Sequence, residues 1–281
     1  MKPVDPITLE IVGNLVLSVA EEMGVTLVKT AYSTNIKERK DCSTAIFDAR
    51  GNMIAQAEYV PMHLGSMLDI VSAVLKKYPP EDIRPGDMFI TNDPYSGGGT
   101  HLPDITMAMP VFVDGRLVAF VANIAHHSDI GGSVPGSVSA KSDSLFQEGL
   151  RIPLGRIMRE GRIVRETYDF ILLNTRTPVE RGGDLDAQIA SNLAGAKRMA
   201  EVIRKYGPDY FAACTDALLD YAEKLMRAGI RSLPEGTYTF EDYLDDAGEN
   251  VDEPIPIRAS VTIADGSVTV DFTGTSPQVP G

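Results

Sequence analysis

The chain has 281 residues, 43% of them hydrophobic, and a formal net charge of −13 at pH 7. That length allows one large domain or two ordinary ones, and the apolar share is enough for a sizeable core. The acidic balance argues against nucleic acid and anionic membrane as partners, because both demand basic surface. Two cysteines, Cys42 and Cys214, lie far apart without CxxC spacing. That argues against a disulfide framework and a thiolate zinc site, and points to a reducing, cytoplasmic setting. The start, MKPVDPITLEIVGNLVLSVAEEMG, is interrupted by Asp5, Glu10, Glu21 and Glu22, so it reads as neither signal peptide nor membrane span.

Residues 6 to 30 predict a long amphipathic helix, with Ile7, Ile11, Leu15 and Val19 recurring every four residues and Pro6 in the first turn. STAIF and MIAQA flank DARGN and predict a hairpin. A shorter helix is expected at about 66–77, closed by Pro79-Pro80, followed by a strand that runs into the Gly-rich loop SGGGTH. Next, ITMAMPVFV and RLVAFVANIA flank Asp114-Gly115, the strongest short-range hairpin signal. SDIGGSVPGSVSAKSDS reads as a binding or lid loop, and RIPLGRIMREGRIVRETYDF as a second strand pair. Helices are expected at about 184–206 and 208–231, with Asp184 or Asp186 as cap of the first. RASVTIA and SVTVDFTG flank Asp265-Gly266, another Asp-Gly hairpin. The fold class is therefore α+β: antiparallel hairpins and a mixed sheet with long flanking helices. A boundary near residue 235 separates a catalytic region, 1–235, from the start of a β-rich region, 236–281. The ending TSPQVPG has loop composition, so a longer polypeptide or a waiting partner is expected.

Three of the four histidines, His101, His126 and His127, lie at the ends of the central hairpin, with Asp104 and Asp129 beside them. With Val113 facing Arg116, the register pairs His126 with Pro103 and Ser128 with His101. It places Phe120, Ala122 and Ile124 opposite Met109, Met107 and Ile105. His101 and His126 then share a face on a diagonal, roughly 7–8 Å apart at Cβ, and His127 falls on the other face. Pro110 removes a ladder donor, and a bulge there would exchange the faces beyond it. Two imidazoles and a carboxylate are a common way to hold a divalent metal with positions left open. The alternative is a loop-capping His101 and a satisfied core His126; the clustering favours the metal. His127 and Asp129 are candidates for proton transfer or for orienting a ligand. His63 reads as structural, at a helix entrance. Asp41, after the run Lys37-Glu38-Arg39-Lys40, earns little from its own neighbourhood. No P-loop, GxSxG elbow or strand-borne GxGxxG is present.

In order along the chain, ITLEIV, KERKDCSTAIFD, HLGSM, ITNDPYSGGGTHLPDI, AHHSDIGG, QEGLRIP and GDLDAQIA resemble the hydantoinase B/oxoprolinase family. The resemblance runs over essentially the whole chain and corresponds to the N-terminal part of longer family members. It implies an A-type partner subunit that uses ATP and Mg2+ to phosphorylate a cyclic amide. It also implies a divalent ion, zinc or manganese, held by Asp41, His101, Asp104 and His126. Hydrolysis of the activated ring would follow, with His127 or Asp129 relaying a proton. Relatives that carboxylate acetone or acetophenone supply a rival expectation, and a non-catalytic assembly subunit or inactive fragment another.

Overall fold

A computed structural model describes residues 4–139, 141–245 and 254–279. The chain forms two compact units, one spanning residues up to 138 together with 145–217, the other 139–144 together with 218–281. The units thus meet in sequence inside a helix, whereas composition changes near 235, where the second sheet starts.

The larger unit contains α1 (Pro6–Thr30), α2 (Thr34–Lys37), β1 (Cys42–Asp48), β2 (Met53–Glu58), α3 (His63–Ser66), α4 (Ile70–Lys77) and β3 (Met88–Thr91). There follow β4 (Asp104–Val113), β5 (Arg116–His126), α5 (Leu145–Glu148), β6 (Gly155–Arg159), β7 (Arg162–Ile163), α6 (Arg165–Leu173), α7 (Pro178–Tyr206) and the first half of α8 (Pro208–Arg231). Its seven strands form one sheet in the order β2-β1-β5-β4-β3-β6-β7. Every pairing is antiparallel, so the expected mixed sheet is an antiparallel one within an α+β fold. One face packs against α1 and α7 through Val16, Met23, Leu185 and Met199; the other packs against α4 through Ile70, Val71 and Val74. β4 and β5 are consequently buried on both faces, which explains their nearly continuous apolar runs.

Local signals place α1 well. The Asp5 carboxylate accepts from Thr8 N at 2.9 Å, and Pro6 takes the first helical position. The buried stripe is Val12, Val16, Val19, Met23 and Leu27, whereas Ile7 and Ile11 face outward. α1 is long and apolar enough by length and composition to cross a membrane, but that stripe belongs to the core.

Three expectations need correction. The second strand pair is a short β6–β7 hairpin that gives way to α6 at Arg165. α7 begins at Pro178, so neither Asp184 nor Asp186 caps it. Asp184 is instead buried inside the helix, accepting from Tyr32 N and Ser33 N at 2.8 and 3.0 Å and pairing with Arg181 at 2.8 Å. The third correction is the central register. Val113 faces Arg116 as expected, but the ladder shifts between Val111 and Phe112, next to Pro110. Val118 is the extra residue, and from Val111↔Ala119 onward every pair moves by one. Asp104, not Pro103, now faces His126. Phe120, Ala122 and Ile124 face α4 with Ala108, while Ile105, Met107 and Met109 face α1 and α7.

The smaller unit carries the second half of α8 and a three-stranded antiparallel sheet, β8 (Gly236–Leu244), β9 (Ile255–Ala264) and β10 (Ser267–Asp271), in the order β10-β9-β8.

Candidate metal centre

Three adjacent strand ends build the site. β1 pairs with β5 so that Cys42 faces Ala125, and the ladder continues one step as His126 N donates to Asp41 O at 3.0 Å. On its other side His126 faces Asp104. Asp41, His126 and Asp104 therefore lie in a row across the sheet, on the face that packs against α4. His101 arrives from the turn before β4, closed by Asp104 N donating to His101 O at 3.1 Å.

The ligand-type atoms converge. His101 Nε2 lies 3.3 Å from Asp104 Oδ1, and His126 Nδ1 lies 3.5 Å from the same oxygen. The two rings are 4.9 Å apart at their centroids. His101, Asp104 and His126 can each place one ligand atom within 4.8 Å of the others. Asp41 Oδ2 sits 3.9 Å from His126 Nδ1, at the margin of the cluster. Asp104 is 1% exposed, yet its Oδ1 has no hydrogen-bond partner. A buried carboxylate oxygen without a donor is costly, and here it lies between two imidazole nitrogens. Burial acts to raise the Asp104 pKa, but the ring nitrogens of His101 and His126 close to its carboxylate, with the charges of His101 and His63, hold it well below the usual carboxylate range. The Asp104 carboxylate beside its Nε2 raises the His101 pKa against the opposing effect of burial. This mixed nitrogen and oxygen donor set suits zinc, manganese or iron better than calcium, which prefers oxygen alone.

The Gly-rich loop explains itself by close approach. A Cβ on Gly99 would stand 2.4 Å from Asp104 Cβ, and one on Gly98 would stand 2.5 Å from the Asn92 carbonyl carbon. Asn92 anchors the same loop, donating to Leu102 O and Leu150 O at 2.7 and 2.8 Å and accepting from Ile152 N at 2.6 Å.

His127 and Asp129 are not brought to the cluster. His127 points to the opposite face, fully buried, with Nε2 2.9 Å from Gln188 Oε1. Gln188 Nε2 donates to Ile105 O and Asn123 Oδ1, so its oxygen accepts and the His127 ring carries its proton on Nε2. Burial, helped by the Arg181 charge, pushes the His127 pKa down, leaving the ring neutral at pH 7. Asp129 holds the following loop: Oδ1 accepts from Gly131 N at 2.9 Å, and Oδ2 accepts from Gly136 N and Arg176 Nη1 at 3.0 and 2.9 Å.

The residue that sequence reasoning passed over is His63. It opens α3, as expected of a helix entrance, but its ring is buried beside the cluster, with Nε2 3.9 Å from Asp41 Oδ1. The available signal was the motif HLGSM, one of the stretches that carried the family resemblance.

The fold and the cluster define a class: an α+β chain whose central strand ends bring together a mixed histidine-carboxylate cluster with the spacing to hold a metal ion. The chain belongs to the hydantoinase B/oxoprolinase family, which it matches over residues 5–281. It is 42% identical to an uncharacterized protein of Methanocaldococcus jannaschii, over 98% of this chain and 48% of that protein. It is 35% identical to the proposed B-type D-/L-hydantoinase chain of a Pseudomonas species, over 99% of this chain and 48% of that protein. The crystal structure of the ATP-dependent caprolactamase from Pseudomonas jessenii superposes with a TM-score of 0.91 at 35% identity, covering 99% of this chain and 47% of that one. The chain thus spans about half the length of these relatives.

Proposed function

We propose that this chain carries the metal-dependent site of an ATP-dependent cyclic amide hydrolase and works with an A-type, ATP-binding subunit. The observation that carries the reading is the convergence of His101, Asp104 and His126 on one point, with the buried Asp104 Oδ1 lacking any donor. Zinc or manganese is the proposed ion, with His101 and His126 supplying neutral nitrogens, Asp104 the compensating charge and Asp41 a further oxygen. Bound there, the ion supplies positive charge that polarises an amide carbonyl and eases deprotonation of water. Asp104 is buried at the start of β4 opposite His126, while the His101 side chain remains 35% exposed, so the ring substrate approaches from the His101 side. ATP and Mg2+ enter through the partner, whose phosphorylation of the amide oxygen activates the carbonyl carbon toward water, so that the C–N bond breaks with the ring nitrogen leaving as an amine and the acyl phosphate then hydrolyses to release phosphate. The names of the hydantoinase and caprolactamase relatives support this substrate class.

His127 and Asp129 take supporting parts in this reading. Both Asp129 oxygens are engaged and His127 is tied to Gln188, so we assign them to holding the ribbon end and its loop rather than to proton transfer. Elemental analysis tests the site. Wild type and His127→Ala should retain one equivalent of ion, while His101→Ala and His126→Ala should lose it. Equal loading of wild type and His126→Ala would sink the assignment. ATP-dependent ring opening by the chain with its A-type subunit, lost in the same two variants, tests the activity.

A further inference from the structure

His63 is one of the few fully buried side chains with an unused polar atom: it is 0% exposed, and Nε2 has no hydrogen-bond partner. Its other nitrogen is occupied, with Nδ1 3.0 Å from Ser43 Oγ. The free Nε2 faces Asp41 Oδ1 at 3.9 Å. Asp41 therefore stands between two imidazoles, Oδ1 toward His63 and Oδ2 toward His126. Its side chain is 30% exposed, so it has room to rotate, unlike the enclosed Asp104.

The proton inventory decides what His63 offers. The Ser43 hydroxyl has one proton and two acceptors in reach, the Cys42 carbonyl at 2.7 Å and His63 Nδ1 at 3.0 Å. Given to the ring, that proton leaves Nε2 as a donor aimed at a carboxylate. Given to the carbonyl, it leaves a buried lone pair facing a carboxylate oxygen, two acceptors opposed without a donor, which is the costly arrangement. At 3.9 Å the contact is too long for a hydrogen bond, and a small rotation of the Asp41 carboxylate closes it.

Resting on the metal reading above, we propose that His63 is a positioning residue. Its Nε2–H binds Asp41 Oδ1 and turns Oδ2 toward His126 and the ion, with Ser43 holding the ring in the required tautomer. Ligating carboxylates depend on such partners, and losing one typically costs about 10–100-fold in metal affinity. The arrangement also accounts for Asp41 lying at the margin: it is the one ligand candidate set by a side chain outside the strands.

The test is a competition titration of zinc against a chelator on the full chain, combined with a double-mutant cycle. His63→Leu should weaken zinc by about 10–100-fold, and His63→Gln, which restores a donor near the Nε2 position, should recover most of it. In an Asp41→Ala background His63→Leu should change nothing further, and cobalt-substituted protein should keep its full histidine-nitrogen count by X-ray absorption. Additive losses, or one fewer histidine nitrogen in His63→Leu, would make His63 a ligand and overturn the proposal. Unchanged affinity in His63→Leu would overturn it too. If His63→Leu does not fold, Ser43→Ala carries the same cycle, with a smaller loss that must vanish in the Asp41→Ala background. A wild type that binds no zinc, manganese or cobalt defeats the metal reading itself, a result distinct from a metal-loaded wild type indifferent to His63.

Discussion

Two hairpins in this chain share one turn and little else. Asp114-Gly115 and Asp265-Gly266 both take left-handed backbone angles, with φ of 50° and 77° in the first and 51° and 68° in the second, the pattern that suits a two-residue connection. β4 and β5 are hemmed in on both sides by β3 and β1 and buried on both faces. β10 is exposed along its whole length and forms the edge of a three-stranded sheet. Its ladder to β9 runs without a shift from Ser267↔Ala264 to Asp271↔Ser260. The β4–β5 ladder shifts once, and that shift sets Asp104 against His126. The turn is thus a local property, while the register beyond it is negotiated with neighbouring strands and, in the buried ribbon, with Pro110. The side-chain patterns differ accordingly: DITMAMPVFV is a nearly continuous apolar run, and SVTVD alternates.

The sharpest way to break the comparison is to shift the pairing beyond the bulge. Deleting Val118 removes the extra residue but leaves every pair from Val111↔Ala119 to Asp104↔His126 in place, so metal retention should survive. Deleting Ala122, beyond the bulge, should exchange the faces from Asn123 to His126 and abolish both metal retention and a cooperative thermal transition. An Ala122 deletion that keeps its ion, or a Val118 deletion that loses it, would show that the pairing beyond the bulge does not set the site. The next contrast is burial. Phe120→Ala should cost about 3–5 kcal/mol, whereas Val270→Ala, at the corresponding half-exposed position, should stay within about 1 kcal/mol; denaturant titration of the two variants reads both.

The shared turn predicts a similarity. Gly115→Ala and Gly266→Ala should each cost about 1–2 kcal/mol from backbone strain alone. An added Cβ meets nothing within 4 Å at Gly115 and only the flexible Arg231 side chain at Gly266. Unequal costs would mean that the turns are held by different forces.

The smallest effect separates the carboxylates that follow each ribbon. Burial acts to raise the Asp129 pKa, but backbone amides of Gly136, Gly131 and Arg176 and the Arg176 guanidinium hold it below the ordinary value. Asp271 is lowered by bonds from Thr273 but lies in water. A lowered folded pKa means a stabilisation that is complete above the unfolded value, near 3.9, and is lost as pH falls through the folded one. Wild type should therefore melt above Asp129→Asn at pH 6 and converge with it as pH drops below about 4. Asp271→Asn should track wild type throughout, and a pH-independent gap for Asp129→Asn would point to packing rather than charge.

Much of this chain was legible in its residues alone. Asp5 and Pro6 announce α1, the two Asp-Gly pairs announce the hairpins, and periodicity gives the element type of most runs, the stretch that becomes α6 excepted, because those signals act within a few residues. The family resemblance selected Asp41, His101, Asp104 and His126 together. What sequence reasoning misjudged depends on partners distant in the chain. Ile7 and Ile11 fit the helical stripe yet face outward, since which side of α1 is covered is decided by α7 and the sheet. Asp184 looks like a cap and is instead buried against Arg181 and the backbone at Tyr32 and Ser33.

The same division holds at the site. Residue types and the Asp114-Gly115 turn determined that two histidines and a carboxylate would meet at one end of a ribbon. Only the tertiary structure decided that a bulge at Val118 would put Asp104 squarely against His126, that β1 would bring Asp41 to the other side, and that α3 would fold His63 behind it. Turn chemistry and periodicity are short-range energies written in neighbouring residues, whereas strand order and register minimise the whole sheet at once.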